Sequence, residues 1–185
     1  MSDRKKQMGY SLVELIVVIA ILSIVAGAGY SMLGLLSGKY AKECATRTQS
    51  ALSDIKIEAM SKSKGATNYD VYIRLYVKGD GIYIESANVA TVGSEIHETT
   101  KIGKSAKVTV TAVKGTLGTA GGDSVNLADL GDTGITIAFD RSDGSFCPVR
   151  GETDIYWKQL IFKQGSVTYQ LDLIPRTGKF SLSKM

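Results

Sequence analysis

Apolar and polar positions divide the chain into three regimes. From Leu15 to Gly38 there are 24 consecutive residues without a charge, preceded by the basic leader Met1 to Gly9. At a rise of about 1.5 Å per residue this run predicts a helix of roughly 36 Å, enough to cross a hydrocarbon core of about 30 Å. From Lys39 the composition turns polar while the period stays helical: Ala41, Ala45, Thr48, Leu52, Ile55 and Ala59 are spaced 4, 3, 4, 3 and 4, with Lys42, Glu43, Arg47, Asp54, Lys56 and Glu58 on other faces. Gly65, following Lys62 and Lys64, supplies a C-terminal stop. The spacing therefore predicts one continuous helix of about 50 residues, transmembrane in its first half and amphipathic in its second. Gly27, Gly29 and Gly34 within it suit either bending or close helix packing.

Beyond Gly65 the period falls to two. Val71, Ile73, Leu75 and Val77 alternate with Tyr72, Arg74 and Tyr76, and the turn Lys78-Gly79-Asp80-Gly81 leads into Ile82 to Glu85, a hairpin signature. Further strands are predicted at Lys107–Val113, Ile135–Asp140, Tyr156–Phe162, Val167–Ile174 and Lys179–Leu182, separated by turns at Gly115–Gly122, Asp143-Gly144, Gln164-Gly165 and Thr177-Gly178. The expected fold class is α+β: a long N-terminal helix packed on one mostly antiparallel sheet. The segments are 1–9 (leader), 10–38 (transmembrane helix), 39–65 (amphipathic continuation) and 66–185 (β-rich head).

Composition narrows the chemistry. The single histidine, His97, rules out sites needing two imidazoles, and two cysteines 103 positions apart exclude zinc ribbons, CxxC redox motifs and disulfide scaffolds. The net charge of +4 is inflated by Arg4, Lys5 and Lys6 against Asp3, so charge alone does not imply nucleic acid. That basic leader places the N-terminus in the cytoplasm and the head on the outer side of the membrane.

A cleavable signal peptide fits the apolar segment poorly. Its small-residue site Ala26-Gly27-Ala28-Gly29 is followed by more apolar residues, Met32, Leu33, Leu35 and Leu36. Glu14 sits at the start of the run, where a carboxylate costs energy that reaches about 2.5–3.5 kcal/mol at mid-helix. The string Gly9-Tyr10-Ser11-Leu12-Val13-Glu14-Leu15-Ile16-Val17-Val18-Ile19-Ala20-Ile21-Leu22, after a basic leader, resembles the N-terminus of type IV pilins and type II secretion pseudopilins. The resemblance implies that a membrane prepilin peptidase cleaves between Gly9 and Tyr10, and that the new amine of Tyr10 is N-methylated. It also implies a helix retained as an assembly stalk, with other pilin or pseudopilin subunits, an inner-membrane assembly platform and membrane lipid as partners. Glycine before the cut lets an extended backbone enter a protease cleft. Glu14, four residues on and about 6 Å along the axis, is placed to meet the Tyr10 amine or that of a neighbour. Tyr10 stands where phenylalanine is commoner in the family, and the apolar helix has no proline. The order of strands, with the closing Ile174-Pro175-Arg176-Thr177-Gly178-Lys179-Phe180 hairpin, is similar to H-type minor pseudopilins and FimT-like minor pilins.

The other sequence signals are weaker. Gly103-Lys104-Ser105 lacks the upstream glycine of a phosphate loop, since position 98 is Glu98. His97, between Glu95 and Glu98, reads as a loop histidine without a metal. The acidic turn Asp140, Ser142, Asp143, Gly144 carries oxygen ligands but is too short for an EF-hand and contains Arg141; turn formation explains its residues better. No metal and no cofactor is expected. Cys44 and Cys147, in an exported region, are a candidate disulfide pair. Arg176, Lys179 and Lys184 are a candidate DNA contact, set against lysine protection of an edge strand. The expected function is that of a non-enzymatic, minor structural subunit of a pilus or pseudopilus, single-pass in the membrane and then part of a surface or periplasmic filament. The alternatives are a DNA-binding minor pilin for uptake and a membrane-anchored binding module that never polymerises.

Overall fold

The computed structural model describes residues 12–36, 38–61, 70–91, 94–119 and 121–185, and for 28–36, 88–91 and 94–97 the backbone alone. The chain divides into two compact units, Met1–Ser37 and Gly38–Met185. The first holds α1 (Leu12–Leu36), 25 residues whose backbone runs unbroken through Gly27, Gly29 and Gly34. Ser23, a polar side chain in this apolar helix, donates from Oγ to the Ile19 carbonyl at 2.8 Å, so its hydroxyl is satisfied within the helix.

The expectation of one continuous helix is corrected. α1 ends at Leu36 and a second helix, α2 (Lys39–Ser61), begins three residues later. Two features set its start. Gly38 takes φ +85°, and a Cβ there would lie 2.5 Å from Cγ1 of Val167, so glycine alone lets the backbone rest on that side chain. The amides of Tyr40 and Ala41, which have no partner inside a helix beginning at this point, donate to Oε1 of Gln164 at 2.9 and 3.2 Å. A side chain 124 residues away thus acts as an N-cap. The stop expected at Gly65 lies outside the described residues.

The stripe read from the sequence is the face that α2 buries: Ala41, Cys44, Ala45, Thr48, Leu52, Ile55 and Ala59 are all buried. Thr48 pays no desolvation penalty for its hydroxyl, because Oγ1 donates to the Cys44 carbonyl at 2.8 Å.

Among the described residues nine strands follow: β1 (Val71–Lys78), β2 (Gly81–Thr91), β3 (Ser94–Lys104), β4 (Thr109–Thr116), β5 (Asp123–Asn126), β6 (Ile135–Ala138), β7 (Ile155–Gln164), β8 (Val167–Ile174) and β9 (Lys179–Lys184). A four-residue helix, α3 (Leu127–Leu130), precedes β6, and a 3-10 turn spans Pro175–Thr177. The Asn126 side chain caps α3 by accepting from the Ala128 amide at 3.1 Å. The single sheet expected is in fact two, ordered β3-β2-β1-β6 and β5-β4-β7-β8-β9, and every pairing in both is antiparallel. The split arises because β6 returns to β1 while β7 pairs with β4, so the two sheets share no strand. The indole Nε1 of Trp157 on β7 donates to the Thr136 carbonyl on β6 at 3.1 Å, tying the sheets where they meet.

Helix α2 packs against strands of both sheets. Leu52 and Ile55 join Val71, Ile73 and Leu75 of β1 and Leu160, Phe162 and Leu171 of β7 and β8 in one core cluster. Arg74 and Glu85, opposite each other on β1 and β2, belong to the alternate positions of those strands.

Candidate functional site

In α1 the apolar residues do not form a stripe; they surround the helix. Eleven large apolar side chains, among them Leu12, Leu15, Ile16, Ile19, Leu22 and Ile24, are each at least half exposed. Covering each yields on the order of 1 kcal/mol, so the helix carries a strong drive toward an apolar surrounding. The described side chains of this helix run from Leu12 to Gly27, about 24 Å of helix. Among the described residues no helix is long and apolar enough to cross a membrane. Glu14 lies in the first turn of α1, where the helix dipole favours a carboxylate. Gly9 and Tyr10, the expected cleavage and methylation positions, lie outside the described residues.

The two cysteines do not pair. Both are free and buried, and they occupy different neighbourhoods. The Sγ of Cys44 donates to the Ile102 carbonyl at 3.3 Å, and a Cβ on Gly103 would lie 2.3 Å from that sulfur. Gly103, which hinted at a phosphate loop, is there to let α2 approach β3. Cys147 follows β6, its amide donating to the Ala138 carbonyl at 2.9 Å. Burial is the main cause that pushes the Cys44 thiol up to about 11, with Glu43 adding to it. Burial again, with Asp140 and Asp143 adding to it, raises Cys147 to about 12. Thiols held protonated in this way are poor nucleophiles.

Oxygen ligands in the acidic turn are taken up locally. Oδ1 of Asp140 accepts from the Ser142 amide and hydroxyl at 2.8 and 2.6 Å, and Oδ1 of Asp143 accepts from the Ser145 amide at 2.8 Å. These are Asx turns. Among the described residues no group of three or more His, Cys, Asp or Glu gathers to hold a metal. His97 is corrected from a loop to a strand position: it sits on β3 opposite Ala87.

Arg176 lies in the 3-10 turn and Lys179 and Lys184 at the two ends of β9, all exposed, on the edge strand of the five-stranded sheet. The turn is fastened from below. Lys56 of α2 donates from Nζ to the Gly178 carbonyl at 2.9 Å, and the Phe146 amide donates to the Pro175 carbonyl at 2.9 Å. Phe139, Phe146 and Phe180 meet beside it, with centroids 4.5 to 6.5 Å apart. Sequence reasoning missed Lys56 and Gln164 in these roles, because their partners are more than a hundred residues distant.

Compared with known proteins, residues 4–30 match the prokaryotic N-terminal methylation motif. The chain thus carries a prepilin-type signal, of the kind found in type IV pilin and pseudopilin substrates of prepilin peptidase, spanning part of the leader and most of α1. The match does not extend into the head. No curated protein and no solved structure matches the chain.

Proposed function

We propose that this protein is a minor structural subunit of a type IV pilus or type II secretion pseudopilus. The observation that carries the reading is the methylation motif over residues 4–30, joined to a helix whose apolar side chains are uncovered on all faces. Prepilin peptidase cuts after Gly9 and leaves a cationic amine on Tyr10. Such an amine is costly in an apolar setting unless a carboxylate meets it. Glu14 is the nearest acidic residue, one helical turn along. Pairing between the Tyr10 amine of one subunit and Glu14 of the next sets the register as the inner-membrane platform moves α1 out of lipid and into a bundle of like helices. The exposed helix drives both stages, since lipid and helix bundle each cover it. The head, with its own core, is presented outside the membrane.

Glu14→Ala separates anchoring from assembly. The variant inserts into the membrane at the parent level but is lost from filaments sheared from the cells. Unchanged incorporation into filaments would point instead to an anchored binding module.

A further inference from the structure

A cavity of about 400 Å³ opens where the two sheets meet, bounded by β1 and β6 on one side and by Arg150 and Trp157 on the other. Its volume is that of a small-molecule site. Tyr72, Thr133 and Thr136 line it together with Arg74 and Arg150, and no acidic residue does.

Arg74 is held rigidly. Its Nη2 pairs with Glu85, a buried carboxylate, and its guanidinium lies over the Tyr76 ring, 4.9 Å from the centroid. Hydrogen bonding to Glu85 is the first cause that raises its pKa, so it stays charged. Its Nε–H is shut off from solvent with no acceptor among the described residues, so it is the part-exposed Nη end of the guanidinium that a ligand can reach. Arg150 is exposed and forms no ion pair among the described residues. Glu85 offsets the charge of Arg74, which leaves one uncompensated positive charge on the cavity and suits a monoanion better than a phosphate dianion. The Nε1 of Trp157 is committed to the Thr136 carbonyl, so the ring itself is what the indole offers a ligand.

We propose that this cavity binds a small carboxylate whose apolar body lies against Trp157. The carboxylate oxygens accept from the guanidiniums of Arg150 and Arg74, planar donors that match a carboxylate. The site is independent of the assembly role, so failure of one leaves the other standing.

Trp157 is the chain's single tryptophan, so its indole N–H gives one resonance that reports on the cavity alone. The experiment titrates the detergent-solubilised full chain with benzoate, with benzamide of the same shape but no charge, and with inorganic phosphate. Benzoate is expected to shift the indole resonance saturably, with benzamide and phosphate each at least about tenfold weaker. Arg150→Glu, an exposed position where folding is not at stake, should weaken benzoate by about tenfold or more, and Arg150→Lys, which keeps the charge but loses the planar donor pair, should weaken it by less. The proposal is overturned by no benzoate shift, by equal responses to benzoate and benzamide, by tighter binding of phosphate, or by an Arg150→Glu variant that binds as the parent does.

Discussion

Gly178 and Gly165 have the same backbone angle, φ +58°, and opposite surroundings. Nothing lies within 4 Å of a Cβ built on Gly165, whereas one built on Gly178 falls 1.6 Å from the Gly144 carbonyl oxygen. Substituting alanine at either position costs the left-handed strain, about 1–2 kcal/mol. At Gly178 the turn must also lift away from Gly144. Lifting it loses the charged hydrogen bond from Lys56 to the Gly178 carbonyl, worth about 1.5–3 kcal/mol, and the Phe146–Pro175 backbone bond, worth about 0.5–1.5 kcal/mol. Gly178→Ala should therefore destabilise by roughly 3–6 kcal/mol, and Gly165→Ala by only about 1–2 kcal/mol. Denaturant unfolding of the fragment 38–185, which contains every residue of the core cluster, followed by Trp157 fluorescence, gives both values. Equal losses at the two glycines would refute the close approach of the two turns and its fastening to α2.

Two further predictions concern α2 and the thiols. Leu52→Ala, at a fully buried position, should lose about 2–5 kcal/mol, and Ile57→Ala, 69% exposed on the same helix, should stay within about 0.5 kcal/mol of the parent; similar losses would mean that the helix presents a different face. The buried thiols should make the head weaken in alkali: above the ordinary thiol pKa of 9.0 the unfolded chain releases protons that the native state holds up to about 11 at Cys44 and about 12 at Cys147. Stability then falls as pH rises through that window, by up to about 1.4 kcal/mol per pH unit for each thiol. Unfolding curves from pH 8 to 11 should therefore show a shallower decline in the Cys44→Ala, Cys147→Ala double variant, and identical slopes would contradict the burial of these groups.

How much of the molecule could be read in advance depends on how local its causes are. The buried stripe of α2 was legible because the helical period places Ala41 to Ala59 on one face, whatever they pack against. The first hairpin was legible because Gly79, at φ +58°, supplies the turn conformation between two alternating runs. β3 was not, since its Glu, Thr, Lys and His residues form an edge strand that needs only β2 to pair with. β5 is a four-residue polar edge strand with equally little signal. The break between α1 and α2 was invisible because its cap, Gln164, lies 124 residues from Tyr40 along the chain. The separation of Cys44 from Cys147 likewise depends on tertiary packing. In the site, Glu14 declared itself as a charge in an apolar run, whereas the Arg74–Glu85 pair appears only once the register of β1 on β2 is known.

The central claim is processing and assembly through the N-terminal helix. Quantitative mass spectrometry of filaments sheared from the cell surface, alongside the residual membrane, tests it most directly. The account predicts a peptide beginning at N-methylated Tyr10, present in filaments at a small fraction of the principal subunit. A chain that retains Met1 to Gly9, or one cut near Gly29, would contradict it.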